Sequence, residues 1–356
     1  MKGEVDAAQP RLPDPRRYGT GEHALLRLTD AELRGELRRA LGDSRSGAIT
    51  AALAAAPTRE SYARLWSAVC DVAHHVDDHA AADAIVVRIF ALPLVIVTGS
   101  ARPATIPGVI PDSAAISALF ERHGALGKLR NFGIGNALCS LETLQEVTPF
   151  EIYEWSAAAG AVPHELAPSP VVIDAPGDFV HLRFVVGAAV APAAEPSFVE
   201  TASNIGAWGM PLTRLLAGRL AQPGVEVLPL PRPPLDLLRA AHAGRAAQLE
   251  TAFSLFVSNA VRRFRGSSGD PVAAISAHED CEIRVRLGSA FDDADAETFR
   301  WPLDRLDDVG GIAAAFEQLL KECRVIDVRR RAEVLPAPTA SAPCESGKTG
   351  RRRSPP

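Results

Sequence analysis

Proline has no N–H to give to a strand ladder or a helix and fixes its own φ, so it marks where a regular element must stop or bend. Three such marks share one form: FALPL at Phe90–Leu94, WGMPL at Trp208–Leu212 and FRWPL at Phe299–Leu303. Each has an aromatic residue three positions ahead of Pro-Leu. The chain holds five Pro-Leu dipeptides and is 6% aromatic, so chance gives about 0.3 such cases and a repeat is the better explanation.

Other features recur in the same order. Each pentapeptide follows or lies beside a strand-like run with arginine between apolar residues: VVRIF at Val86–Phe90, HLRFVVGAA at His181–Ala189 and EIRVRLGSA at Glu282–Ala290. The last two align arginine on arginine and glycine on glycine. Each follows an apolar run and a turn, VVIDAPGDF and VAAISAHEDC, which predicts two β-hairpins. Downstream, thirteen residues separate Pro111 from Gly124 and also Pro231 from Gly244, and FGIGNAL and LFVSNAV mark a second helix in each copy. These put Asn136 and Asn259 at matching helical positions. The expected fold is therefore α/β or α+β: an internally duplicated mixed sheet with flanking helices, each Pro-Leu forming a strand-to-helix corner.

Ahead of the repeat the pattern is helical. In TRESYARLWSAVCDVAHHV, Tyr62, Leu65, Trp66, Val69, Val72, Ala73 and Val76 form one apolar stripe at i, i+3, i+4 spacing, with Thr58 as N-cap. TDAELRGELRRALG predicts an earlier helix capped by Thr29 or Asp30. The expected organisation is a disordered segment over 1–21, a helical layer over 22–83, a first unit over 84–190, a second unit with a partial third over 191–333, and a disordered tail over 334–356.

Charge and cysteine content narrow the setting. A net charge of -5 gives no general attraction to nucleic acid or anionic membrane. The arginine clusters Arg262–Arg265 and Arg329–Arg331 lack the interleaved aromatics of a nucleic-acid track. Five scattered cysteines without a C-x-x-C pair fit a reducing cytoplasm better than a disulfide framework. The run AIVVRIFALPLVIV is too short to span a bilayer and holds Arg88 and Pro93, so it reads as buried strand. Only four of the 38 basic residues are lysine and alanine abounds, which points to a GC-rich bacterial genome.

Two groups of residues carry candidate chemistry. On a helix, Asp71, His74, His75 and Asp78 fall at i, i+3, i+4 and i+7 and share one face. Imidazole and carboxylate ligands suit a divalent metal such as zinc, iron or manganese if another element covers that face; otherwise it is a solvated helix end. Arg88, Arg183 and Arg284 are the second group. Brought together between repeats they would bind a small anion, and paired with carboxylates such as Glu282 they would be structural. VIVTGSARP at Val95–Pro103 resembles the strand-and-glycine opening of short-chain dehydrogenases over those nine residues. Pro103 and Ala104 stand where the next glycine of a dinucleotide site belongs, so no cofactor is assigned. ESGKTG has Ala342 where a phosphate loop needs its first glycine.

These readings leave catalysis undecided and give a non-catalytic interaction or accessory protein of the bacterial cytoplasm with a protein partner as the first expectation. A metal-dependent enzyme using the Asp71–Asp78 face, and a binder of a small anionic ligand between the repeats, are the alternatives.

Overall fold

A computed structural model gives the protein's structure and describes residues 25, 27–43, 46–74, 85–127, 129–157, 166–192, 205–266, 270–278, 281–289 and 296–330. The expected terminal segments, and His75 and Asp78, lie outside the described residues.

The helical layer consists of α1 (Asp30–Gly42), α2 (Ser46–Ala55) and α3 (Arg59–Val72). Thr29 and Thr58 cap α1 and α3 through capping boxes, each hydroxyl accepting from a third-position N–H. Leu33, Leu37 and Leu41 of α1 meet Leu65, Val69 and Val72 of α3. Both helices and both caps are as their spacing predicts; α2 is an addition.

The mixed α/β body holds two main sheets. In the first, β1 (Ile85–Ser100) pairs antiparallel with β5 (Gly177–Pro192) along its whole length, Ile85 opposite Pro192 and Ser100 opposite Gly177. With β3 (Arg130–Cys139) and β6 (Val225–Pro231) the order is β3-β5-β1-β6, and β7 (Leu235–Asp236) continues the β6 edge along β1. Both faces are covered. Phe90, Leu92, Leu94 and Ile96 pack against α4 (Ser113–His123) and α7 (Ile205–Leu220), while Val87, Ile89, Ala91 and Val95 pack against α5 (Leu141–Glu146), α6 (Pro149–Ala157) and the start of α8 (Leu237–Gly266). Two-sided burial explains why the β1 run is apolar without alternation.

The second sheet runs β10-β9-β8-β11, from β10 (Glu297–Pro302), β9 (Glu282–Ser289), β8 (Pro271–His278) and β11 (Asp327–Arg330). Here burial alternates along β8 and β9, because only one face is covered, by the far half of α8 and by α9 (Val309–Glu322). The β8–β9 hairpin is as expected.

The internal duplication is not confirmed. FALPL lies inside β1, WGMPL inside α7, and only FRWPL ends a strand. Pro93 is tolerated in a central strand because the neighbouring edge is interrupted beside it: β7 pairs with Phe90 and Ala91, β6 with Leu94 onward, and Pro93 still accepts Arg232 N–H at 2.9 Å. In α7, Trp208, Leu212, Leu216 and Leu220 form a buried row at i+4 spacing, and that row carries the helix through Pro211. VVIDAPGDF is not a hairpin either, since β4 (Val171–Ile173) pairs instead with β2 (Ala104–Ile106). FGIGNAL is strand β3, where Gly133 and Gly135 oppose helix, so Asn136 and Asn259 hold unrelated places. Ser100 leads through a bend into β2, not into the helix that a dinucleotide site needs.

Gly187 faces Phe90 in register, and a Cβ there would meet the Phe90 ring and stand 2.7 Å from Gly133 O. Because backbone closes one side, Gly187→Ala is expected to lower stability by about 2 kcal/mol, as overpacking a core does. Urea unfolding of the variant checks this.

Candidate functional site

Of the predicted metal face, His74 and Asp71 are among the described residues, His74 buried and Asp71 half-buried. His74 is 4% exposed, and its Nε2 lies 3.2 Å from Ile89 O, so that nitrogen carries the proton and donates. Nδ1 is then an acceptor with no hydrogen-bond partner among the described residues. Asp71 receives Arg34 Nη2 at 3.1 Å on one carboxylate oxygen and Arg239 Nη2 at 2.5 Å on the other. Arg239 also donates at 2.8 Å to Asp236, which is 2% exposed and lies 4.0 Å from Arg88 Nη1. A chain of alternating charge thus runs from α1 through α3 and α8 to β1. Among the described residues no group of three or more His, Cys, Asp or Glu is placed to hold a metal ion.

Nor do the three arginines meet. Arg88 faces Asp236. Arg183 donates to Ser169 O at 2.8 Å, Leu182 O at 2.7 Å and Pro170 O at 2.9 Å, tying β5 to the segment before β4. Arg284 pairs with Glu282 on the second sheet, where Arg300 stands directly opposite it in register. Glu282 is therefore the expected carboxylate partner, offsetting the like-charge juxtaposition. Ser276 Oγ and His278 Nε2 lie 2.7 Å apart, but they are alternate residues of one strand, and Glu282 across from His278 is taken by Arg284.

Sequence reading missed a cleft of about 390 Å³ where the helical layer, α8 and the second sheet meet. One wall is a line along α8: His242, Ala246, Glu250 and Ser254 recur every four residues, with Phe253 beside them. The facing wall is the inner stripe of α9, Ile312, Ala315, Phe316 and Leu319, with Asp308 at its N-cap. Trp301, at the end of β10, closes the inside, and Arg59 at the start of α3 lies on the rim. Phe253 and Phe316 pack with ring centroids 4.1 Å apart and planes tilted by 38°, and Trp301 meets Phe316 edge-on at 5.3 Å.

The loop between β10 and α9 is held from several sides. Arg59 donates from Nε and Nη2 to Leu306 O at 3.2 and 3.0 Å. Arg305 lies over the Tyr62 ring and donates to the last carbonyls of α2 and its exit, Leu53 O at 2.8 Å and Ala56 O at 2.6 Å. Asp307 accepts Arg245 Nη1 at 3.1 Å and Asp304 N at 2.8 Å, while Arg245 also donates to Pro302 O. The cleft therefore has fixed walls. Trp301 is only 3% exposed, and its Nε1 is buried with no acceptor among the described residues.

Comparison with known proteins gives no match: no family model, no curated protein and no solved structure matches the chain. Among the described residues no helix is long and apolar enough to cross a membrane.

Two predictions concern the charge chain and its histidine. Arg239→Ala leaves Asp236 buried with only the more distant Arg88, so it is expected to cost about 3 kcal/mol in urea unfolding, as breaking a buried pair does. Burial holds His74 below its ordinary value of 6.5, Asp236 acting against this and Arg88 with it. Burial, then Arg183, pushes His181 down to about 4. The unfolded chain takes up protons near pH 6.5 while the folded one resists, so stability is full above that pH and falls as pH drops from 6.5 toward 4. Denaturation midpoints across that range measure the slope, and His181→Gln should make it shallower.

Proposed function

We propose that the chain is a non-catalytic accessory protein of the bacterial cytoplasm that works by binding a small amphipathic molecule in the seam cleft. The preformed cleft carries this reading, because Arg59, Arg245 and Arg305 tie its rim segment in place. The cavity volume, aromatic and aliphatic walls and few polar groups fit the usual form of a small-molecule site. The polar side chains of the cleft that make hydrogen bonds hold structure: Ser254 Oγ donates to Glu250 O at 2.9 Å, and Asp307 anchors its loop. That favours binding over catalysis. The lysine-poor, alanine-rich composition supports the bacterial setting. The seam position also gives a bound molecule contact with both the helical layer and the second sheet, so occupancy would be sensed by a protein partner on either.

Indole serves as a neutral aromatic probe with no built-in charge preference. Wild-type protein is expected to bind it, and Ala246→Trp or Ala315→Trp, which fill the cleft from opposite walls, should weaken binding about tenfold or more, ~1.4 kcal/mol. NMR titration measures both affinities. Equal affinity in the wild type and both filled variants would place the binding elsewhere and end this reading.

A further inference from the structure

The open face of the second sheet differs in charge from the chain as a whole. Strand pairing places Arg284 directly opposite Arg300, and Arg286 between Ala274 of β8 and Thr298 of β10. Parallel pairing of β11 with β8 sets Arg329 beside Ala274 in the same row. These positions alternate with Ile283, Val285, Leu287, Trp301 and Val328, whose side chains belong to the covered core. All four arginines therefore share the face turned away from α8 and α9. Among the described residues two carboxylates join them, Glu282 paired with Arg284 and Asp327 paired with Arg329 at 2.6 Å. The face is net positive on a chain whose net charge is -5.

Arg286 and Arg300 are exposed, and the small neighbours Ala274 and Thr298 leave Arg286 open to approach. Arg300 makes no ion pair among the described residues, although Arg284 lies about 5 Å away across the ladder. Like charges so placed destabilise a sheet unless something negative answers them. Arg286 and Arg300 are diagonal neighbours about 7 Å apart. An extended chain presents alternate side chains at nearly the same repeat, about 6.7 Å. Phe299 and Trp301 turn into the core, so among the described residues no phenylalanine, tyrosine or tryptophan lies on this face for bases to stack on. That favours carboxylates over a nucleic-acid strand.

We infer that this face docks an extended acidic segment of a protein partner, its alternate carboxylates meeting Arg286 and Arg300. The inference rests on the accessory reading for a protein partner but not on the cleft, which lies on the covered side of the sheet.

The test is fluorescence anisotropy of a labelled octaglutamate peptide titrated with the full chain, beside a labelled octauridylate. Octaglutamate is expected to bind, and Arg300→Glu should weaken it about fivefold, the upper worth of one exposed ion pair. Arg262→Glu makes the same charge change at an exposed site on α8, beyond the covered face. It should alter affinity less than about twofold near physiological salt, where screening acts within about 8 Å. Arg300→Gln gives a second reading in the same direction if the charge reversal fails to fold. No binding of octaglutamate by the wild type overturns the inference, as does equal weakening by Arg300→Glu and Arg262→Glu. Octauridylate bound more tightly than octaglutamate makes the occupant a nucleic acid and overturns it too. Indole binding by Arg300→Glu should stay at the wild-type value, so a negative result here leaves the cleft reading standing.

Discussion

One helix sets the geometry of everything else. The 30 residues of α8 span roughly 45 Å at 1.5 Å per residue, more than one small core needs. Leu237, Ala240 and Ala247 are buried against the first sheet, while Phe253, Val257, Ala260, Val261 and Phe264 are buried against the second. Gly244 lets the helix lie close on β5, where a Cβ would stand 2.8 Å from the Phe184 ring. Arg239 ties the start of the helix to Asp236 and Asp71, and so to the helical layer. A rod shared by two cores cannot bend without exposing apolar surface in one of them. The cleft follows from this constraint, because α8 crosses from one core to the other between Ala247 and Phe253.

What local chemistry determines was legible in the sequence. Thr29 and Thr58 act through neighbours three residues away, so the first and third helices could be read from their caps and stripes. The β8–β9 hairpin likewise rests on adjacent runs with alternating burial. The Pro-Leu corners were misread for a physical reason. An aromatic residue, two spacers and Pro-Leu do not determine a backbone conformation; surroundings do. Inside β1 a break in the neighbouring edge accommodates the proline, whereas in α7 a row of four buried side chains outweighs the missing hydrogen bond. Helix and strand were also confused at FGIGNAL, a short apolar run whose period is ambiguous and whose pairing partner β5 lies some fifty residues on.

Candidate site residues divide the same way. Asp71 and His74 stood out because they are close in sequence, but their surroundings come from Arg34, Ile89 and Arg239, which no spacing argument reaches. The arginines matched in local pattern and separate in space, each answered by the nearest carboxylate or carbonyl. The cleft gave no distinctive signal. Its walls come from Arg59, from a line along α8 and from the β10–α9 segment, and each looks like an ordinary helix face or strand end by itself. The four-residue recurrence of His242, Ala246, Glu250 and Ser254 was the one visible trace, and mixed polar and small residues at that spacing describe many solvated helices.

The central claim is that α8 makes the two sheets one cooperative body and thereby keeps the cleft preformed. Native-state hydrogen exchange in low urea measures this directly, comparing helix amides over 240–247 with those over 257–264. The account predicts one opening free energy and one urea dependence for both stretches, because neither core can release its half of the helix alone. Exchange of the 257–264 amides through a separate, less costly opening with a shallower urea slope would contradict it, since the second sheet would then unfold while the first stayed intact.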